Sequence, residues 1–302
     1  VSLLRAAGAV LIGKTATVEF AGVGAIPDTR NPFDLDYSPG GSSAGSGAAV
    51  GAGLVPLALA TQTGGSTIRP GSFCGVAAFK PTWGRVSVEG LKPFAPGLDT
   101  VGWIASDATL LEAVAAAYGI ESERDSGEEK RLRIGFYRTP YYDEAQPETL
   151  SALEQARGLL ERAGHAVEDV SGPSGSESLN KWQDILMHGE GRFSLLAEYR
   201  RDPSLAHKGV SDLVENRKGI SSADMLEAYD HIAALRPQYD KALSGFDAWL
   251  TPAVPGIAPR IGDGNGLATF NRLFTALHVP CVTLPGFTGP NDLPVGIQLV
   301  AP

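Results

Sequence analysis

The sequence predicts a mixed α/β layer protein, and three observations carry that prediction. Short apolar runs of strand length, at residues 54–61, 132–136, 246–252, 281–285 and 295–300, alternate with longer stretches of helical periodicity. Of the 302 residues 43% are hydrophobic and 20% charged, which excludes a disordered chain or a coiled coil and leaves enough apolar surface for a sizeable core. The glycines are concentrated: ten of the 37 fall between Gly40 and Gly75, so unusual backbone conformations are expected there.

Residues 2–7 read as the last turns of a helix and residues 9–13 (AVLIG) as a short buried strand. Residues 16–39 read as loop, broken at Pro27, Pro32 and Pro39. Residues 43–53 are small throughout, which suits a tightly packed helix, and residues 54–61 follow as a buried strand. Residues 106–120 form a helix expected to be capped by Ser106. The run at 121–130 carries seven charges in ten residues and reads as a solvated loop. A strand at 132–136, an amphipathic helix at 147–163 and a strand at 165–170 make a βαβ unit. Such a unit could be a second domain or equally a continuation of one sheet, since Gly158 and Gly164 punctuate it without a linker-like tract. Helices are expected at 178–199, 206–218 and 221–244, ahead of the strands at 246–252, 281–285 and 295–300.

The charge balance and the cysteines exclude several classes of function. The formal net charge is −9, against the basic face that nucleic acid or an anionic membrane demands. Two cysteines, Cys74 and Cys281, cannot build a disulfide scaffold or a four-cysteine metal site, and a reduced, cytoplasmic setting is expected. Cys74 is expected to be a buried structural thiol. The five histidines form no HxxxH pair, so no metal site is predicted; His278, among Leu277, Val279 and Pro280, reads as a satisfied, half-buried imidazole. Neither GxGxxG in a strand-to-helix setting nor GxxxxGK[ST] occurs, and no cofactor is predicted.

Two serine constellations could carry chemistry. Gly41-Ser42-Ser43-Ala44-Gly45 matches GxSxG and would make Ser43 the nucleophile of a Ser-His-Asp esterase, but a loop rather than a buried strand precedes it. Thr63-Gly64-Gly65-Ser66 directly follows an expected strand, and the N–H groups of Thr63, Gly64 and Gly65 are natural donors to a developing oxyanion.

The combined pattern resembles the amidase signature family. Gly40-Gly41-Ser42-Ser43-Ala44-Gly45-Ser46 looks like the family's GGSSGGS, and Thr63-Gly64-Gly65-Ser66, Arg69-Pro70, Cys74-Gly75-Val76 and Lys80-Pro81-Thr82 follow in the family's order. Further matches run from Leu11-Ile12-Gly13-Lys14 through Leu98-Asp99-Thr100-Val101-Gly102 and Leu250-Thr251-Pro252 to Leu293-Pro294-Val295-Gly296. The resemblance implies one domain over residues 1–302, a large mixed twisted sheet sandwiched between helices. It implies a Ser–cis-Ser–Lys mechanism with Ser66 as nucleophile and Ser42, 24 residues earlier, as proton shuttle. Thr63, Gly64 and Gly65 would form the oxyanion hole, with Ser43 and Arg69 in support.

The family's catalytic lysine sits in a GxKD strand motif that this sequence lacks, and Lys14 matches a non-catalytic GK position instead. The chain opens on Val1 without Met and ends on Val-Ala-Pro inside an expected strand, so segments carrying that lysine and the C-terminal end are expected to lie outside it. A catalytically inactive amidase-fold protein is the alternative this raises. Arg69 stands three residues after Ser66 and Gln62 replaces an aspartate, departures from the A subunits of glutamyl-tRNA amidotransferases. They favour a stand-alone bacterial-type amidase whose partners are a small-molecule amide and a second copy of the chain. Arg69 is read evenly as a holder of loop carbonyls or of a substrate carboxylate. Residues 174–222 are expected to wall the acyl pocket, with Trp182, Met187 and Phe193 as apolar candidates.

Overall fold

The computed structural model describes residues 1–120 and 131–302. The expected charged loop at 121–130 lies outside them. The first half of the chain forms α1 (Ser2–Ala6), α2 (Ala44–Gly51), β1 (Leu57–Gln62), α3 (Ile68–Phe73), β2 (Ala77–Lys80), β3 (Thr100–Ala105) and α4 (Ala108–Ala117). Then come β4 (Arg133–Tyr137), α5 (Pro147–Arg162), β5 (Ala166–Val170), α6 (Leu179–Ser194), α7 (Leu196–Arg201), α8 (Lys208–Val214) and α9 (Ser222–Leu243). The last elements are β6 (Ala248–Pro252), α10 (Thr269–Ala276), β7 (Cys281–Thr288) and β8 (Pro294–Val300).

The strands form one eight-stranded sheet in the order β1-β3-β2-β7-β8-β6-β4-β5. β4 runs parallel to β5 and β6, and the other pairs are antiparallel. The predicted βαβ unit is therefore present as β4-α5-β5, continuous with the rest of the sheet.

The period-2 alternation of each strand sends side chains to opposite faces, and each face is covered by its own helices. Ile134 and Phe136 on β4, Leu250 on β6 and Val295 and Ile297 on β8 pack with Ala152, Leu153 and Ala156 of α5. Tyr137 and Trp249, on the same strands but the other face, pack with Trp182 and Leu186 of α6, Tyr239 of α9 and Phe274 of α10. The other half of the sheet repeats the arrangement. Trp103 and Ala105 pack with Leu111 and Val114 of α4, while Ala60, Ala78 and Ile104 pack with Val50 of α2 and with Cys74. Each fully buried Phe or Leu in these layers contributes about 1.5–3 kcal/mol of transfer free energy.

The structure departs from expectation at several places. Residues 9–13 form no strand: Val10, Leu11 and Ile12 are 82%, 67% and 74% exposed, and among the described residues no neighbouring strand offers them a ladder. Asp107 rather than Ser106 caps α4, its carboxylate accepting from Leu110 N, while the Ser106 hydroxyl donates to that carboxylate. The helix expected over 178–199 is two helices, α6 and α7, which meet at Leu195. β2, β3, α3 and α10 were not anticipated.

Candidate active site

The turn after β1 is held from three sides by side chains distant in sequence. Gln62, fully buried at the end of the strand, accepts from Thr67 N–H at 3.0 Å and Ile68 N–H at 3.1 Å, which satisfies donors at the start of α3. Its amide nitrogen donates to Thr275 Oγ1 at 3.0 Å, and that hydroxyl donates to Gly64 C=O at 2.7 Å. Gln183 of α6 donates to Thr63 C=O at 2.8 Å, and the Thr63 hydroxyl donates to Asp99 at 2.6 Å. Asp99 also accepts from Phe94 N–H and Ala95 N–H. Burial pushes its carboxyl above the usual range, and these three hydrogen bonds only partly offset that.

Because a trans peptide points its N–H opposite its C=O, tying the Thr63 and Gly64 carbonyls to α6 and α10 turns the Gly64 and Gly65 N–H groups the other way. Among the described residues neither these two N–H groups nor that of Ser66 has a backbone or side-chain acceptor. Gly65 is required by close approach, since a Cβ there would lie 2.4 Å from Asn271 Oδ1 and 2.9 Å from Ala268 Cβ. Gly64 differs: a Cβ there would meet Arg272, Gln183 and Ala268 at 3.8–3.9 Å, ordinary contact distances.

The second serine loop lies against this turn. Ser43 N–H donates to Ser66 C=O at 3.4 Å, and Ser43 Oγ bridges Thr61, accepting from its N–H at 3.2 Å and donating to its C=O at 3.3 Å. The Gly41–Ser42 peptide is cis, and Ser42 C=O accepts from Val18 N–H at 3.0 Å. Arg69 anchors the loop by donating from Nε (3.0 Å) and Nη2 to Gly41 C=O and from Nη1 to Gly266 C=O. Burial, with Arg272 nearby, lowers the Arg69 pKa to about 10. Ser42, Ser43 and Ser66 are all buried.

Ser43 has its hydroxyl committed to Thr61, and among the described residues no histidine hydrogen-bonds it, as a Ser-His-Asp arrangement on Ser43 would require. Arg69 holds loop carbonyls, the first of its two readings. Of the apolar residues expected along the pocket wall, Trp182 is buried with its ring stacked on the exposed His231, Met187 packs against the same core cluster, and Phe193 is 62% exposed. From α6 it is Gln183 that meets the serine turn.

Lys14 is exposed. Lys80 is fully buried and donates to Pro81 C=O at 2.9 Å and Val279 C=O at 2.6 Å; burial lowers its pKa. His278 stacks on Trp83 and its Nε2 lies 2.8 Å from Gly97 C=O, with its pKa lowered to about 4 by burial and by Arg236. The Cys74 thiol is pushed up by burial, as a structural thiol is. Among the described residues no group of His, Cys, Asp and Glu side chains could hold a metal ion, and no helix is long and apolar enough to cross a membrane.

Three buried serines therefore lie beside backbone donors that are unpaired among the described residues, on a mixed sheet covered by helices. The family model described as Amidase matches residues 1–302, and the chain belongs to the amidase signature family. It is similar to the A subunit of the glutamyl-tRNA(Gln) amidotransferase of Moorella thermoacetica, 32% identical over 348 aligned positions that cover 98% of this chain and 71% of the relative. Among solved structures it resembles an amidase with a TM-score of 0.89 and 29% identity, over 99% of this chain and 72% of the other. The native peptide amidase of Stenotrophomonas maltophilia superposes with a TM-score of 0.78 at 26% identity, over the same shares of the two chains.

Proposed function

We propose that the chain is an amide hydrolase that opens a small-molecule carboxamide through an acyl-enzyme on Ser66, with Ser42 as proton shuttle. The observation that carries this reading is the contact between the two serine loops. Ser43 N–H reaches Ser66 C=O while Arg69 holds the Gly41 carbonyl, so Ser42 is presented beside a turn whose Gly64 and Gly65 N–H groups are unpaired among the described residues. Ser66 Oγ attacks the amide carbonyl carbon, and the oxyanion forms against the Gly64 and Gly65 N–H groups, with Thr63 positioning that turn. The serine proton passes through Ser42 to the amide nitrogen, the C–N bond breaks, and ammonia or an amine leaves. Water then cleaves the ester and restores Ser66.

Ammonia release from primary carboxamides, with no second protein present, tests this. Ser66→Ala is expected to abolish turnover and Ser42→Ala to lower kcat by about 10²–10⁴, the usual worth of positioned proton transfer. Turnover that survives Ser66→Ala refutes the assignment. Release of ammonia by the chain alone also separates a stand-alone amidase from a component of an amidotransferase, the activity named for the curated relative.

A second reading rests on the lysines. Lys14 points into solvent and Lys80 is tied to two carbonyls, so among the described residues neither of the lysines flanking the serine loops stands behind Ser42. An amidase fold without a competent base would bind amides and leave them intact. A fluorophosphonate probe decides: covalent labelling mapped to Ser66 supports the catalytic reading, and an unlabelled Ser66 in folded protein supports the inactive one.

A further inference from the structure

Asp99 is a buried carboxylate that meets the serine turn without a cation. It stands just ahead of β3, where its Oδ1 accepts from the Thr63 hydroxyl at 2.6 Å and its Oδ2 accepts from Phe94 N–H at 2.7 Å and Ala95 N–H at 3.0 Å. The titratable and charged groups around it come from several elements. From α6, Glu190 accepts from Gly97 N–H at 2.7 Å and from the hydroxyl of Tyr229 on α9. His278, which follows α10, has its Nε2 2.8 Å from Gly97 C=O and 2.9 Å from the guanidinium of Arg236 on α9, and its ring is neutral above about pH 4. Lys80 of β2 donates to the Pro81 and Val279 carbonyls. Among the described residues no cation pairs with Asp99 or Glu190, so the loop at 94–99 is held by two carboxylates with no counter-charge. Burial raises the pKa of both, the Asp99 charge raises that of Glu190 further, and their hydrogen bonds offset only part of this.

The Thr63 contact depends on which form of Asp99 is present. The carboxylate offers acceptors alone to three hydrogens, so every donor is satisfied. Protonation brings a fourth hydrogen. Oδ2 already faces two N–H groups, so the proton falls on Oδ1, against a Thr63 hydroxyl that has no other acceptor among the described residues, and one buried O–H is left unpaired. Thr63 is where such a change reaches the chemistry: its C=O is tied to Gln183 at 2.8 Å, and the same peptide carries the Gly64 N–H. We infer that Asp99 is a positioning residue, a clasp whose ionised form holds Thr63 so that the Gly64 N–H points at the oxyanion, and that the charge of Glu190 sets the acidity at which the clasp opens. This rests on the proposed hydrolysis at Ser66.

The test follows ammonia release from butyramide, and fluorophosphonate labelling of Ser66, from acid to alkaline pH. Asp99→Asn is expected to lower kcat about tenfold or more, part of the roughly 10²–10³ that one oxyanion donor supplies, with KM changed less than about threefold. Thr63→Val is expected to do the same, and the double variant to be no slower than either single one, because both break one contact. Thr63→Ser keeps the hydroxyl and is expected to recover most of the loss. Glu190→Gln removes the neighbouring charge and makes Asp99 easier to ionise, so kcat at neutral pH is expected to stay within about twofold while the acid limb moves down by about half a pH unit or more. A merely structural Asp99 predicts losses that add in the double variant and a limb that stays in place. An acid limb unmoved by Glu190→Gln, or Asp99→Asn with wild-type kcat, overturns the inference. If Ser66→Ala retains turnover, or wild-type Ser66 stays unlabelled, the hydrolytic reading falls instead. The clasp is then judged by the coupling between Asp99→Asn and Thr63→Val in urea unfolding, which is expected to fade as pH falls and whose absence overturns it.

Discussion

Thr275→Val probes the scaffold behind the serine turn. Valine is nearly isosteric with threonine, so the substitution opens no cavity and removes only the hydroxyl. That hydroxyl accepts from Gln62 Nε2 at 3.0 Å and donates to Gly64 C=O at 2.7 Å, and both groups are buried. Each buried polar group left unpaired costs about 1–3 kcal/mol, so the loss in unfolding free energy is about 2–6 kcal/mol. The protein carries its own control. Thr251 Oγ1 is equally buried and has no partner among the described residues, so Thr251→Val exchanges an unpaired hydroxyl for a methyl and is expected to be neutral or stabilising. Equilibrium urea unfolding followed by tryptophan fluorescence measures both. The same substitution releases the Gly64 carbonyl, letting that peptide plane rotate and turning the Gly65 N–H away, so kcat is expected to fall more than KM rises. A Thr275→Val loss below about 0.5 kcal/mol, or one equal to that of Thr251→Val, refutes the claim that this hydroxyl fixes the turn.

Two further substitutions follow from the geometry. Gly65→Ala drives a methyl against Asn271 Oδ1 and is expected to abolish amide hydrolysis and lower the unfolding midpoint, whereas Gly64→Ala places its methyl at ordinary contact distances and is expected to leave the unfolding midpoint nearly unchanged, which thermal unfolding of the two variants compares. His278 has its folded pKa lowered to about 4 from 6.5, so its stabilising contribution is present above pH 6.5 and is lost as pH falls from there to about 4. His278→Asn, which suits the positive φ of 66° there, is expected to flatten that part of the stability–pH profile; an unchanged slope contradicts the assignment.

Legibility in the sequence followed the distance over which each feature is determined. α5 and the βαβ unit were readable because Pro147 at the first helical turn and the spacing of Ala152, Leu153 and Ala156 are local signals. β3 was hidden by Gly102, which sits mid-strand because a Cβ there would lie 2.4 Å from the Phe79 carbonyl of its neighbour. α10 was hidden by its composition: Thr269, Phe270, Asn271 and Thr275 are indifferent helix formers, and burial of every residue but Arg272 holds the helix in place. Residues 9–13 misled in the opposite direction, since an apolar run reads as a strand whether or not a neighbouring strand exists to pair with it.

The candidate site divides the same way. Ser42, Ser43, Ser66 and Arg69 lie within two adjacent motifs whose order and spacing a single sequence displays. Gln183 and Thr275 reach the turn from 120 and 211 residues away, and no local pattern marks them; Asp99, 36 residues away, lies in a matched motif, but nothing local shows that it meets Thr63. Lys80 shows why a perturbed group alone does not identify a base. Its lowered pKa is what proton abstraction needs, yet its hydrogen bonds run to the Pro81 and Val279 carbonyls, beside Cys281, and none runs to Ser42 or Ser66. Geometry must come before proton affinity. By that order the turn is defined by the residues that hold the Thr63 and Gly64 carbonyls, because they decide where the Gly64 and Gly65 N–H groups point before any substrate arrives.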